Sequence, residues 1–408
     1  MNTPPGSFRI SVIQEGARLH YAVPIALDRQ GLLGTVYTEW FSAPGSYQRG
    51  LARIARSFLP VHGAKMLARY DPQLPASRVK TSSWLELRHR LRAKRAGSPS
   101  EYWHYWLESF SDWATSAGLF DSQGVYGFVR RIDPQLCGRL RDRGIKVVVD
   151  QMIAPATIEA KERRLQHDRW PGWELLASDD VELFIEVEQS TWARADFVTC
   201  ASPYVRDGLL SQGVAASQVE VIPYPIDTAP YVVPDRTRRR DRLTVGFVGQ
   251  VGLRKGAPYF SEIAKRFKSS GARFVMVGPI ALTETARKDV AQHVELVGPV
   301  PRPQVVDWLA KFDVLLFPST CEGSAQSVVE GMATGLPIVT SPNSGVPFQD
   351  GAEGFVVPYD DCDAAEERIG RLLDDPALRL EMGQRARLQA QHLTLAAFGT
   401  KLARLFTG

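Results

Sequence analysis

A chain of 408 residues, 44% hydrophobic and 23% charged, exceeds the roughly 100 to 200 residues of an ordinary single-core domain and falls outside the compositions of disordered, fibrous or disulfide-scaffold chains. Its 49 Lys and Arg against 45 Asp and Glu give a net charge of +4, which excludes no partner until its distribution is read. The four cysteines, Cys137, Cys200, Cys321 and Cys362, form no C-x-x-C pair and have no His at ligand spacing, so neither zinc nor a disulfide framework is expected and a reducing compartment fits.

The opening stretch has no basic n-region, and no segment reaches the roughly 20 apolar residues that cross a bilayer, so a cytoplasmic protein is expected, peripheral at the inner face of the membrane. FRISVIQ (8–14), a turn containing Gly16 and an apolar-periodic stretch from His20 to Leu33 predict strand, loop and helix. Residues 45–119 then interrupt the simple alternation. Within them RGLARIARSFL puts Leu51, Ile54, Ala55 and Phe58 on one face with Arg49, Arg53 and Arg56 outside it, the pattern of helices lying in a membrane plane and equally of a solvated surface helix. Between Arg49 and Arg95 there are twelve Lys or Arg against only Asp71 and Glu86, a basic run suited to anionic lipid, nucleic acid or a negatively charged acceptor. At its end, Trp103, Trp106, Phe110 and Trp113 stand at helical spacing; core packing is expected there, with an apolar acceptor wall as the functional alternative.

From GVYGFV and PQLCGRLRDRG the alternation resumes through KVVVDQ with a helical stretch from Pro155, DFVTCA with PYVRDGLLSQG, and VEVIPYP, predicting a parallel sheet covered on both faces. The aperiodic stretch 223–241 holds four prolines and a basic run, the features of a linker. The expected division is 1–225 for a first domain, 226–241 for the linker and 242–408 for a second α/β domain, built on LTVGFVG, RFVMVG, DVLLFP, a helix over 326–333, PIVT and GFVVP. The tail 363–406 is helical by spacing, and one of its helices is expected to pack back on the first domain. The fold class is therefore α/β, two Rossmann-like domains facing a cleft.

The chemistry concentrates in PSTCEGSAQSVVEGMATGLPIVTS (318–341), where Glu322 and Glu330 are separated by seven residues between two apolar strands. Glu322 falls in the loop at a strand's carboxyl end, where open α/β sheets bind ligands, and Glu330 within the following helix. Gly323, Ser324 and Ala325 admit close backbone approach, and the free N–H groups opening the helix, near Gln326 and Ser327, suit a diphosphate. Carboxylates beside it are best aimed at hydroxyls. One ligand with a diphosphate and two polyhydroxyl rings is a nucleotide sugar. For two glutamates alone, a helix cap and an exposed helical residue remain the ordinary alternative.

This block resembles the E-x7-E motif of retaining GT-B glycosyltransferases of family four, with its P-S-x-x-E-G and E-x-M-A-x-G-x-P-[IV]-V surroundings. VGFVGQVGLRKG (245–256) is similar to the family's phosphate-binding loop, and ADFVTCASPYVRDGLLSQGV with VEVIPYPIDT to the end of its acceptor domain. The resemblance implies a nucleotide-diphosphate sugar as co-substrate, no cofactor, no metal, and catalysis by Glu322, Lys255 and Arg254. Gly16, Gly249, Gln250, Val300 and Glu330 join residues 323–327 in holding the donor, base contacts running through backbone near 296–300. Where the family has an Arg, this sequence has Gln250, which leaves Arg254 to assist. The family's two glycines after the first strand are represented by Gly16 with Ala17, and its His after KVVVDQ is absent, leaving Asp150, Gln151 and His20 as acceptor-side candidates. Expected partners are a carbohydrate or lipid-linked acceptor and an anionic membrane surface met through 49–95, without nucleic acid. Asp361-Cys362-Asp363 spells D-x-D, but its place before a helix suits an N-cap. An epimerase or phosphorylase of the same architecture and a non-catalytic partner subunit remain alternatives.

Overall fold

The computed structural model describes residues 8–93, 97–175, 180–236 and 242–408. Short β-branched runs buried on both sides build its two sheets. In the first, β1 (Ile10–Ile13), β2 (Leu33–Thr38), β3 (Val79–Thr81), β4 (Gly124–Phe128), β5 (Lys146–Gln151), β6 (Phe197–Cys200) and β7 (Val219–Val221) lie in the order β3-β2-β1-β4-β5-β6-β7. In the second, β8 (Thr244–Val248), β9 (Arg273–Val277), β10 (Glu295–Gly298), β11 (Val314–Phe317), β12 (Ile338–Thr340) and β13 (Gly354–Val356) lie in the order β10-β9-β8-β11-β12-β13. Every described pairing is parallel, which explains why β1, β4, β8 and β11 read as unbroken buried runs rather than alternating ones.

Strand order reverses between β1 and β4 and again between β8 and β11. At such switch points the crossover helices diverge to opposite faces and leave a crevice at the carboxyl ends of the strands. The loops after β1, β8 and β11 all leave from that kind of edge.

Three elements differ from the sequence expectation. The helix expected over 20–33 is shorter, Ala22–Arg29, because Gly31 at φ 70° ends it and Leu33 already opens β2. The stretch 45–119 is not an extrinsic insertion: it carries β3 and four helices, Tyr47–Phe58, Pro60–Leu67, Ser83–Ala93 and Pro99–Ser116. In the last of these, Trp103, Trp106 and Phe110 are core residues, with Trp106 stacked on Phe110 at 5.2 Å, so packing rather than an acceptor wall accounts for them.

The stretch read as a linker is partly packed. The Tyr224 hydroxyl donates to Asp150 Oδ2 at 2.7 Å, Ile226 N–H to the Leu393 carbonyl at 2.9 Å, and Tyr231 is buried in the second core. Residues 237–241 of that expected linker lie outside the described residues. The chain finishes on the helix Leu395–Thr407, whose Phe398, Leu402, Leu405 and Phe406 share a core with Ile10, Ala26 and Leu27 of the first lobe. Phe406 fills the space above Gly124, where a Cβ would lie 2.5 Å from its ring. Leu402 is fully buried there, so Leu402→Ala should lower unfolding free energy by about 2 to 5 kcal/mol through lost burial and a residual cavity, read from urea denaturation; a cost under about 0.5 kcal/mol would show that the terminal helix does not support the first lobe.

Candidate functional site

After β8 the chain turns through Gly249 at φ 153° and Gly256 at φ 77°. A Cβ on Gly256 would stand 1.9 Å from the Pro318 carbonyl oxygen, and one on Gly278 equally close to the Gly249 carbonyl oxygen. The loops following β8, β9 and β11 therefore stack backbone on backbone, a separation only glycine permits. The Arg254 carbonyl accepts from Thr320 N–H at 2.9 Å and from the Ser319 and Thr320 hydroxyls at 3.0 Å each.

This stacking delivers two cations to one carboxylate. Glu322 Oε1 lies 2.7 Å from Lys255 Nζ and 2.8 Å from Arg254 Nη1, and Arg254 Nη1 also donates to the Cys321 carbonyl at 3.0 Å. Glu322 is buried, its N–H held by the Asn343 carbonyl at 3.0 Å. Burial lowers the Lys255 pKa, and the Glu322 carboxylate opposes that shift. The ammonium also stands 5.1 Å from the Phe317 ring centroid.

Gly323 meets the first lobe. A Cβ there would lie 1.7 Å from the Met152 carbonyl oxygen, while the Ser202 hydroxyl donates to the Gly323 carbonyl at 2.6 Å. Its missing side chain admits the end of β5. Ala325 opens the helix Gln326–Ala333 with no side-chain cap, so the positive end of the helix is left to other partners. Ser324, Gln326 and Ser327 are half-buried around it, and Gln326 Nε2 is buried without a hydrogen-bond partner.

Two turns on, Glu330 Oε1 lies 3.6 Å from Arg302 Nη2. Burial raises its pKa, against the Arg302 charge and a hydrogen bond from the Tyr231 hydroxyl. Arg302 also meets His20 Nε2 across the cleft, and Val300 is half-buried just before it. His20 is brought there by an unusual turn: Leu19, His20 and Tyr21 have φ of 47°, 51° and 61°, a left-handed run that costs roughly 1 to 2 kcal/mol per non-glycine residue. Tyr21 anchors it, buried edge-on against Phe41 at 5.4 Å. Gly16, at φ 60°, donates its N–H to Glu39 Oε2 at 3.2 Å, and its carbonyl accepts from Gln14 Nε2 at 2.8 Å.

The remaining acceptor-side candidates sit deeper. Asp150 is sealed in the first core, accepting from the Tyr224 and Thr199 hydroxyls at 2.7 and 3.1 Å. Gln151 donates to Glu188 and the Ile153 carbonyl and accepts from Trp192 Nε1. Both side chains are occupied in building the lobe rather than turned to the cleft. Gln250 is exposed at the rim of a cavity of about 180 Å³ that also includes Glu159, Arg163, Arg254, Lys255 and Cys321. Asp361 caps the helix Cys362–Asp374, accepting from Ala364 N–H at 2.9 Å, and Asp363 pairs with Arg266.

Sequence reading overlooked four cleft residues: Glu39, Glu174, Tyr231 and Arg302. Glu174 accepts from Leu253 N–H at 2.6 Å. Glu39 was obscured with β2, whose carboxyl end it follows; Arg302, 282 residues from His20, carries no local signal.

Residues 242–375 match the family model described as glycosyl transferases group 1. The match covers the second lobe of the chain, so it is that lobe which is similar to the family. Among the chain's relatives, the GDP-mannose-dependent alpha-(1-6)-phosphatidylinositol monomannoside mannosyltransferase of Mycolicibacterium smegmatis is 27% identical over 285 residues, 63% of this chain and 73% of that one. Several other curated relatives are matched over about half of their length or less. Sucrose-phosphate synthase from Thermosynechococcus elongatus superposes with a TM-score of 0.65 at 17% identity, over 98% of each chain. HepE of Anabaena, in complex with UDP-glucose, does so with a TM-score of 0.62 at 13% identity, over 98% of this chain and 100% of that one. At such identities the likeness is one of fold, and the fold is GT-B.

Burial pushes the Asp150 carboxyl from 3.8 up to about 7 despite its hydrogen bonds. The native state thus keeps a proton that the unfolded chain releases near its ordinary carboxylate value, so this group's contribution to stability falls as pH rises between the two values. Asp150→Asn cannot titrate. The stability of the parent relative to this variant should decline from pH 3.8 to about 7, measured by urea midpoints across that range; a difference independent of pH would show an ordinary carboxyl.

Proposed function

We propose that this glycosyltransferase takes its sugar from a nucleoside-diphosphate sugar and transfers it with retention, without a metal ion, to a hydroxyl of a lipid-linked or carbohydrate acceptor in glycolipid or polysaccharide synthesis. The observation carrying this reading is the Glu322, Lys255 and Arg254 cluster beside the uncapped start of Gln326–Ala333. Two cations and a helix N-terminus suit a diphosphate, through charge-assisted hydrogen bonds and the helix dipole. A buried carboxylate next to them suits sugar hydroxyls and the positive charge that develops at an anomeric carbon.

In the proposed reaction the bond between the anomeric carbon and the diphosphate oxygen breaks while the acceptor oxygen bonds that carbon on the same face. The acceptor's proton passes to the departing phosphate oxygen. This route needs no protein base, in keeping with Asp150 and Gln151 being tied into the first core. Lys255 and Arg254 stabilise the charge gathering on the leaving group. Glu330, with Tyr231 and Arg302 around it, takes the ribose hydroxyls. The UDP-glucose seen with HepE supports the donor class. The phosphatidylinositol mannoside in the mycobacterial relative's name supports a lipid-linked acceptor, and the basic segment 49–95 suits a meeting with the anionic membrane that would carry one.

Loss of a charged hydrogen-bond partner costs about 1.5 to 3 kcal/mol, so Lys255→Ala should weaken nucleoside diphosphate binding roughly 10- to 150-fold; unchanged affinity by calorimetry would remove Lys255 from the donor site. The two glutamates should separate kinetically. Glu322→Gln should lower kcat by roughly 10² or more, as loss of a preorganised electrostatic contact does, whereas Glu330→Gln should mainly raise donor KM by removing binding common to ground and transition states. Equal small effects on kcat would reject the assignment, and an inverted product anomer by NMR would reject retention.

A further inference from the structure

The helix Tyr47–Phe58 faces the wrong way for a helix that serves the core. With 3.6 residues per turn, Tyr47, Leu51, Ile54 and Phe58 fall on one stripe, yet the residues this helix buries are Gln48 and Ala52. Leu51, Ile54 and Phe58 are 49%, 60% and 80% exposed, and Leu59 and Val61 at the adjoining turn 61% and 70%. The following helix, Pro60–Leu67, crosses tightly: a Cβ on Gly63 would lie 2.2 Å from Arg56 N. The pair is a closed hairpin whose tip, residues 53–62, is exposed throughout except for a half-buried Ala55.

The helix Ser83–Ala93 repeats the arrangement. It buries Leu85 and exposes Trp84, Leu87 and Leu91. The two stripes are joined where the helices begin, by the Tyr47 hydroxyl 3.0 Å from the Ser83 hydroxyl and by Gln48 Nε2 donating to Thr81 Oγ1 at 2.8 Å. Arg49, Arg53 and Arg56 lie on the side of the first helix turned away from its stripe and Arg88 stands beside the second stripe, within a segment of twelve basic and two acidic residues. The hairpin springs from the carboxyl end of β2, the same sheet edge at which Glu39 holds Gly16.

We propose that the hairpin 47–67 and the helix 83–93 form a membrane-docking face that lies in the plane of an anionic bilayer. Leu51, Ile54 and Phe58, with Leu59 and Val61 at the tip, enter the boundary between headgroups and acyl chains, while Arg88 buries its stem alongside and the charge of the basic segment as a whole draws the face to anionic headgroups. An exposed apolar tip within a strongly basic segment fits a fluid anionic surface, which closes around it. No helix among the described residues is long and apolar enough to cross a membrane, so the attachment is in-plane. The inference rests on the proposed lipid-linked acceptor, because a bilayer on this face would border the Gly16 edge of the cleft.

Flotation with vesicles of phosphatidylcholine alone and of equal parts phosphatidylcholine and phosphatidylglycerol tests it. The parent protein should float with the mixed vesicles and be partly released by salt, which screens the headgroup attraction. Ile54→Ser with Phe58→Ser, and separately Arg53→Glu with Arg56→Glu, should each reduce binding at least about tenfold, while thermal midpoint and nucleoside diphosphate affinity stay at parent values. Failure of the parent to float with mixed vesicles, or flotation of both variants like the parent, overturns the docking face. So does a parent dimer by light scattering that Ile54→Ser with Phe58→Ser converts to monomer, since the face would then belong to a second copy. Sugar transfer to a detergent-dispersed lipid acceptor without flotation overturns only the docking face; flotation with transfer confined to soluble carbohydrates supports it and overturns the lipid-acceptor reading instead.

Discussion

One carboxylate shared by two cations organises the second lobe's binding edge. Lys255 is half-buried, and a largely desolvated ammonium without a counter-charge is costly; Glu322 at 2.7 Å supplies that charge and takes Arg254 as well. The cluster can form only because the loops after β8 and β11 stack at Gly256 with no room for a side chain. Removal of Glu322 would therefore leave two cations uncompensated in a partly desolvated loop, so the residue has a structural role beside its proposed one. A swap to Gln keeps its shape and one acceptor oxygen for the two cations, whereas Ala removes both; the counter-charge is lost in either.

The same edge holds the lobes together. Met152 at the end of β5 sits on Gly323, and Ser202 donates to the Gly323 carbonyl, so the turn bearing Glu322 is pressed from both sides. Farther out, His20 reaches Arg302, which in turn faces Glu330. The left-handed run at Leu19–Tyr21 is stored strain at the edge of the cleft, tolerated because Tyr21 is locked into the core. The terminal helix, returning to cover β1 and β4, ties the end of the chain to the lobe in which it began.

How much of this was legible in sequence follows from the range of each signal. Apolar runs between helical stretches marked ten of the thirteen described strands, all but β2, β3 and β10, since hydrophobic period is local. The block around Glu322 and Glu330 was legible because glycines, small residues and two carboxylates occur together within 24 residues, 318–341. β2 was hidden because a single glycine, Gly31, separates it from a helix of similar apolarity. Asp150 illustrates the opposite error. Its place where the resembled family carries a His suggested the cleft, but Tyr224 and Thr199, distant in sequence, enclose it. Arg302 and Tyr231 become visible beside Glu330 only through tertiary contacts.

The neutral Gln250 then has an electrostatic consequence within the proposed mechanism. Lys255 and Arg254 share one carboxylate, so the cluster carries a single net positive charge, less than a diphosphate brings in negative charge. Either the diphosphate draws the cations from Glu322 or the helix N-terminus at Ala325 supplies the balance; the helix end is worth about half an elementary charge, too little alone. A diphosphate would therefore compete with Glu322 for Lys255 and Arg254, and the carboxylate it displaces would be released toward the sugar beside it. In this arrangement phosphate binding and the freeing of the carboxylate that faces the reacting carbon are one event, and the missing arginine at Gln250 makes that exchange the main source of positive charge for the leaving group.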